Sequence, residues 1–257
     1  MLHQIISYIT FLLRSSNQHG VHSPFVYNLI TKCFYDKTNY NSYKQIALYG
    51  KTLRKSKLKI DVTDLGSGSR VFKSNQRSVS KMAQKVGASK KETKLLFRLL
   101  DYFKINTVLE LGTSLGIATH AMHLGNPKAK ITTIEGCPNI STFTKGTFKQ
   151  FNVKNIEILT GDFSEVIRPL TSKTYDLIYF DGNHQKQATL DYFESLLPTA
   201  TNASVFIFDD IYWSKGMTEA WETIKKHPQV TVTIDTFMWG IVFFRKEQKK
   251  EHFTIRI

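Results

Sequence analysis

Residues 107–116 read Thr-Val-Leu-Glu-Leu-Gly-Thr-Ser-Leu-Gly and run on into Ile117-Ala-Thr-His-Ala-Met. A short apolar run ending near an acid, two glycines spaced by three residues and an apolar restart predict a strand, a constrained turn and the first turn of a helix. Glycine lets backbone pass close to a ligand, and the N–H groups of a helix start point at whatever sits beside them. A chain with this unit is expected to build an α/β layer and to bind a nucleotide-like cofactor at the turn.

The spacing selects among ligands. A dinucleotide turn carries G-x-G-x-x-G, whose second glycine admits the pyrophosphate. Here the pattern is Glu110-x-Gly112-x-x-x-Gly116, with Thr113 and Ser114 filling the turn, so the acid suits a cationic group and nothing is shaped for a pyrophosphate. Taken alone, the two glycines are equally well explained by close packing of helix on strand. Four further strands change that balance. Lys130–Glu135 ends in an acid 19 residues past Gly116, where such folds place the carboxylate that takes ribose hydroxyls. Residues 156–163 close on Asp162-Phe163, residues 175–181 on Asp181, and residues 204–210 on Asp209-Asp210. One acid at a strand end caps the next helix; five in succession are expected to converge on the crevice outside the carboxyl ends of the strands.

From about residue 90 to 245 the chain resembles a class I S-adenosylmethionine-dependent methyltransferase, most of all the small-molecule O-methyltransferase branch of catechol and caffeoyl-CoA type with its bacterial relatives. The resemblance implies a Rossmann-like α/β fold: a seven-stranded, mostly parallel sheet with an antiparallel final strand, preceded by a helical N-terminal extension. It implies S-adenosylmethionine as cofactor, held by Glu110, Gly112, Thr113, Ser114 and Gly116, by Glu135 and Gly136 on the ribose side, by Asp162 and Phe163 at the adenine, and by Asp181. Asp181, Asp209 and Asp210 match the positions that ligate Mg²⁺ or another divalent cation in the metal-dependent members. Two positions depart from the pattern: Asp209-Asp210 stands where Asp-Asn is usual, and His184 replaces a lysine three residues beyond the first ligand.

The expected chemistry is direct displacement at the sulfonium methyl by an acceptor oxygen, with Asp181 and His184 as the catalytic residues and His184 as the proton acceptor. Tyr212 and Trp213 are candidates for an aromatic wall against a flat acceptor. His22, with His19 and Tyr27, is a candidate to reach over the crevice, the alternative being a packed polar turn. Nucleobase chemistry lacks its parts: the segment after the fourth strand is Asp181-Gly-Asn-His184 rather than an Asn/Asp-Pro-Pro-aromatic run, and Cys137 follows the second strand on the ribose side.

At 257 residues, with 41% hydrophobic content, the chain can bury a sizeable core. The expected division is a helical, basic N-terminal extension and loop at 1–89 and the methyltransferase domain at 90–257. Helices are predicted near 2–15, 24–35, 42–56, 90–104 and 217–227, and a closing hairpin from Val230–Asp235 and Trp239–Arg245. Residues 61–80 read as a polar loop. Within it, Asp64-Leu-Gly-Ser-Gly-Ser69 superficially repeats an acid-glycine motif, and the cationic stretch 70–85 that follows is not expected to be a helix packed on a sheet. Cys33 and Cys137 form no metal-spaced pair, consistent with reduced thiols and a cytoplasmic location. The apolar stretch Ile5–Leu13 is too short to span a bilayer and lacks a basic leader or cleavage site; it reads as an amphipathic helix, with contact at a membrane surface as the lesser alternative.

Charge is uneven. Residues 32–104 hold 18 Lys/Arg against 5 Asp/Glu, while residues 105–257 hold 16 of each. The partners this allows are a small-molecule acceptor, a nucleic acid or other anionic ligand at the basic region 32–104, and a second copy of the chain. Two rival functions follow: an RNA ribose or other nucleic-acid methyltransferase, and a non-catalytic nucleotide-binding interaction module.

Overall fold

The computed structural model describes residues 2–63 and 74–257. They fall into two compact units, Met1–Tyr35 with Ile167–Ile257, and Asp36–Val166. The acid-glycine stretch 64–69 lies outside the described residues.

The first unit begins with helix α1 (Leu2–Arg14). Its Phe11 is buried against Phe237, ring centroids 5.5 Å apart, and its His3 Nε2 lies 3.1 Å from the Thr218 hydroxyl. Helix α2 (Pro24–Leu29) starts where Pro24 presets the backbone dihedral and the Ser23 hydroxyl accepts the Val26 N–H. It widens into a π turn over Ile30–Phe34, in which the Tyr35 N–H reaches back to the Ile30 carbonyl at 2.8 Å.

The second unit follows without interruption. Helix α3 (Ser42–Lys55) buries Tyr43, Ile46, Tyr49 and Leu53 at helical spacing. Strands β1 (Lys59–Asp61) and β2 (Gln76–Ser78) pair antiparallel. Helix α4 (Val79–Lys85) comes next and corrects the reading of stretch 70–85 as non-helical: Val79, Met82 and Ala83 form a buried stripe, and its lysines occupy the other face. Helix α5 (Lys90–Phe103) opens on a reciprocal cap. The Ser89 hydroxyl accepts the Glu92 N–H, the Glu92 carboxylate accepts the Ser89 N–H, and the helix stops at Lys104 in the left-handed region.

Then the alternation predicted from sequence runs its course: β3 (Thr107–Leu111), α6 (Ile117–Gly125), β4 (Lys130–Glu135), α7 (Pro138–Gln150), β5 (Ile156–Thr160) and the single turn α8 (Phe163–Val166). The three strands are parallel in the order β3-β4-β5, with Glu110 opposite Thr133 and Glu135 opposite Thr160. That register sets two strand-end acids and their hydroxyl neighbours side by side.

The chain then completes the first unit with β6 (Leu177–Phe180), α9 (Lys186–Leu196), β7 (Val205–Asp209), α10 (Lys215–Lys226), β8 (Val232–Asp235), β9 (Trp239–Phe243) and β10 (Glu251–Thr254). Its strand order is β10-β8-β9-β7-β6. Strand β9 runs antiparallel to both neighbours, and the β6–β7 and β10–β8 pairs are parallel. Tyr179, Phe193, Phe206, Phe208, Trp221, Trp239 and Phe243 are fully buried here. The expected Rossmann-like α/β architecture is present, with one strand more than the seven predicted. The extra strand β10 is a half-exposed edge that reads Glu-His-Phe-Thr, so neither burial nor a β-branched run marks it in the sequence.

Candidate active site

In the second unit the turn between β3 and α6 is built around a buried acid. Glu110 is wholly inaccessible. Its Oε2 accepts the Thr119 hydroxyl at 2.5 Å and the Thr133 hydroxyl at 2.6 Å, while Oε1 has no hydrogen-bond partner. Because the Thr133 proton goes to Glu110, the Thr113 hydroxyl donates to Thr133, at 2.6 Å. Burial pushes the Glu110 carboxyl up to about 7, against the pull of the two threonine hydroxyls. The sequence presents Glu110 as an open acid at a strand tip. The structure instead makes it the anchor of a hydroxyl relay that reaches Thr113 in the turn.

The turn itself depends on its glycines. Gly112 has φ 109° and Gly116 φ 71°, with Ser114 left-handed between them. A Cβ on Gly116 would meet the Phe148 ring at 2.5 Å and the Thr144 methyl at 2.9 Å. The Gly112 and Thr113 N–H groups both donate to the Ile134 carbonyl, and the Thr144 hydroxyl donates to the Ser114 carbonyl at 2.7 Å. Glu135, nearly buried at the end of β4, accepts the Ser114 N–H on one oxygen at 2.8 Å and the Cys137 N–H on the other at 2.9 Å. Gly136 lies between Glu135 and Cys137 in the chain. Beyond β5, half-buried Asp162 accepts both the N–H and the hydroxyl of Ser164, and half-buried Phe163 begins α8.

In the first unit a second group of acids gathers around an imidazole. One carboxylate oxygen from each of Asp181 and Asp209 and a ring nitrogen of His184 lie within 4.8 Å of one another. His184 Nε2 stands 4.0 Å from Asp181 Oδ1 and 4.0 Å from Asp210 Oδ2. Asn183 and Asp210 both take left-handed backbone, φ 50° and 54°, at the loops that carry the cluster. Burial holds His184 below the ordinary imidazole range, partly offset by the Asp210 carboxylate, so the ring is neutral near pH 7. The sequence reading grouped Asp181, Asp209 and Asp210 as ligands and set His184 apart as the base. The structure instead brings His184 into the cluster with Asp181 and Asp209 and leaves Asp210 beside it. The three-residue step from Asp181 to His184 was visible in the sequence, but the loop that folds it back was not.

The aromatic candidates separate. The Trp213 ring lies 6.4 Å from His184, next to the cluster. Tyr212 is engaged elsewhere: its hydroxyl donates to Asp235 at 2.5 Å and its ring stacks on Phe237 at 5.1 Å. His22, His19 and Tyr27 are exposed, as a polar turn leading into α2 would leave them.

The family model described as "Methyltransferase domain" matches residues 109–211, from β3 through the residues just past β7. Residues 109–211 are thus similar to a methyltransferase domain. No curated protein matches the chain. Solved structures share its fold at low identity. An O-methyltransferase from Bacillus cereus in complex with S-adenosylhomocysteine is 16% identical, with a TM-score of 0.57 over 82% of this chain and 93% of that one. The S-adenosylhomocysteine-bound methyltransferase PaMTH1 of Podospora anserina is 14% identical, with a TM-score of 0.60 over 88% and 97%. The O-methyltransferase TomG of Streptomyces achromogenes, involved in tomaymycin synthesis and solved with S-adenosylmethionine, is 14% identical, with a TM-score of 0.56 over 81% and 91%. The methyltransferase domain therefore has the fold of the S-adenosylmethionine-dependent O-methyltransferases, and it contains both the relay turn and the acid–imidazole cluster.

Proposed function

We propose that this methyltransferase moves a methyl group from S-adenosylmethionine to an oxygen of a small-molecule acceptor. The observation that carries the reading is the clasped Glu135: its two oxygens are fixed by the backbone N–H groups of Ser114 and Cys137 at the end of β4, where a carboxylate can take ribose hydroxyls. The residues around it fit the cofactor. Gly112, Thr113, Ser114 and Gly116 offer bare backbone, Glu135 and Gly136 suit the ribose, and Asp162 with Phe163 suits an adenine edge and face. When bound, S-adenosylmethionine supplies an electrophilic methyl on a sulfonium. Glu110, through Thr133 and Thr113, keeps the turn in one geometry so that alignment costs little at the moment of transfer.

At the other cluster, His184 is neutral near pH 7 and can take the proton of an acceptor hydroxyl, as the oxygen needs before it attacks. Asp181, Asp209 and His184 also form a mixed oxygen and nitrogen donor set that fits a divalent cation of the Mn²⁺, Fe²⁺ or Zn²⁺ type as well as Mg²⁺; an imidazole that ligates an ion no longer accepts a proton, and the ion would then activate the hydroxyl in its place. A bound ion would lower the pKa of a coordinated hydroxyl. Trp213 then offers a face for a flat acceptor.

A second reading, a nucleic-acid acceptor, is favoured by one observation: residues 36–166 hold 22 Lys/Arg against 10 Asp/Glu. Both readings are tested by incubating the purified chain with methyl-labelled S-adenosylmethionine and either a metabolite extract or total RNA, with and without a chelator. Label in small hydroxylated products supports the first reading; label confined to RNA supports the second. Label in neither, with full cofactor binding, would leave a binding module.

A further inference from the structure

Helix α1 turns its most apolar side to solvent. Leu2, Ile5, Ile6, Ile9, Leu12 and Leu13 are between 40% and 83% exposed, and at 3.6 residues per turn they share an arc of about 120°. The side that holds the helix to its unit is a different one: buried Phe11 packs on Phe237, and His3 meets Thr218. The outward stripe therefore does nothing for the docking of α1. No Lys, Arg, Asp or Glu interrupts it between Leu2 and Leu13. Contiguous apolar patches on soluble monomers rarely exceed roughly 300–600 Å², and six large aliphatic side chains at this exposure reach the top of that range.

Three occupants could cover such a stripe. A membrane span is excluded for α1, because 13 residues fall short of the roughly 20 that cross a hydrocarbon core, and no helix among the described residues is long and apolar enough. A second copy is disfavoured twice. The chain carries a net charge of +14, so two copies repel. A stable dimer also needs about 800 Å² from each partner, whereas one helix about 20 Å long can press only part of its stripe against another. A fluid surface needs no shape match and can take the whole arc.

We infer that α1 lies in the interface of an anionic lipid bilayer, with Leu2, Ile5, Ile6, Ile9, Leu12 and Leu13 sunk among the acyl chains and the helix axis in the membrane plane. Charge selects the lipid. Residues 1–35 contain Arg14 and Lys32 and no Asp or Glu, so α1 itself presents no acid to phosphate headgroups, and the net charge of +14 favours approach of the chain to an anionic surface.

The test is flotation of the full chain with vesicles of phosphatidylglycerol and phosphatidylcholine, against vesicles of phosphatidylcholine alone. Binding to the anionic vesicles should exceed binding to the neutral ones by roughly tenfold and should weaken, without vanishing, in high salt. The triple variant Ile6→Gln, Ile9→Gln, Leu13→Gln should lose roughly tenfold or more in affinity. Leu48→Gln, at a 56% exposed position on α3, should lose nothing. Should the triple variant fail to fold, Leu13→Gln alone alters the most exposed residue of the stripe and should still lower binding severalfold. Failure to float, equal binding to both vesicle types, or stripe variants that bind like the wild type would overturn the inference. A wild-type dimer in light scattering that the stripe variants convert to monomer would overturn it in favour of a second copy.

Discussion

The two acid-bearing regions of the methyltransferase domain are built on opposite principles. Around Glu110 and Glu135 the carboxylates are met by partners of the right kind: threonine hydroxyls on Glu110, and the N–H groups of Ser114 and Cys137 on Glu135. Around His184 the carboxylates of Asp181 and Asp209 come within 4.8 Å of the ring and of each other, and the ring Nε2 stands 4.0 Å from both Asp181 and Asp210. Carboxylates held by hydroxyl and N–H donors fix geometry, whereas carboxylates gathered around an imidazole favour a proton or positive charge between them. The first arrangement suits holding a cofactor, and the second suits chemistry.

The largest effect should come from the second region. Asp181→Asn and Asp209→Asn should each lower methyl transfer by roughly 10²- to 10⁴-fold with little change in the thermal midpoint. Steady-state rates and scanning calorimetry on the same preparations check both halves, and a matching drop in midpoint would break the contrast.

Next comes Gly116→Ala. Its φ of 71° and the approach of Phe148 within 2.5 Å of an added Cβ should cost roughly 3 kcal/mol of stability, read from urea unfolding, and should weaken cofactor binding. Tolerance of alanine there would mean the turn is less fixed than its hydrogen bonds imply.

Of similar size is a pH effect centred on Glu110. Its carboxyl is raised to about 7 in the folded state, so between the ordinary glutamate range and pH 7 the folded chain binds the extra proton. Its contribution is therefore present at low pH and lost as pH rises through 7, by roughly 3 kcal/mol. Glu110→Gln keeps an acceptor for Thr119 and Thr133 and should remove that decline. The difference between the wild-type and variant stability curves measures it, and parallel curves would show that Glu110 ionises normally.

A comparable effect of opposite sign belongs to His120. It stacks on Tyr49 with ring centroids 4.4 Å apart, and burial depresses its pKa to about 4. Because the unfolded chain takes the proton first, stability should fall as pH drops from the ordinary histidine range toward 4. His120→Phe keeps the stacking and should flatten that limb by up to roughly 3 kcal/mol. An unchanged acid limb would place the protonation elsewhere.

The legibility of the sequence follows the same division. The strand-turn-helix unit and the five strand-end acids could be read because local spacing dictates them: alternation for strands, glycine for the turn. Helix α4 was hidden because its stripe of three buried apolar residues is short and sits in a lysine-rich stretch, and β10 because an edge strand needs no apolar face. The burial of Glu110 was hidden too, since it depends on Thr119 and Thr133, the latter on a neighbouring strand. His184 joins its cluster through left-handed backbone at Asn183, which no periodicity announces.

The central claim is that binding and chemistry are carried by separable groups of acids, and calorimetric titration of S-adenosylhomocysteine into the wild type and Asp181→Asn tests it most directly. The account predicts saturable binding of nearly equal affinity to both proteins, with methyl transfer lost only in the variant and no saturable heat from NAD. Binding of NAD in place of S-adenosylhomocysteine, or loss of S-adenosylhomocysteine binding in Asp181→Asn, would contradict it.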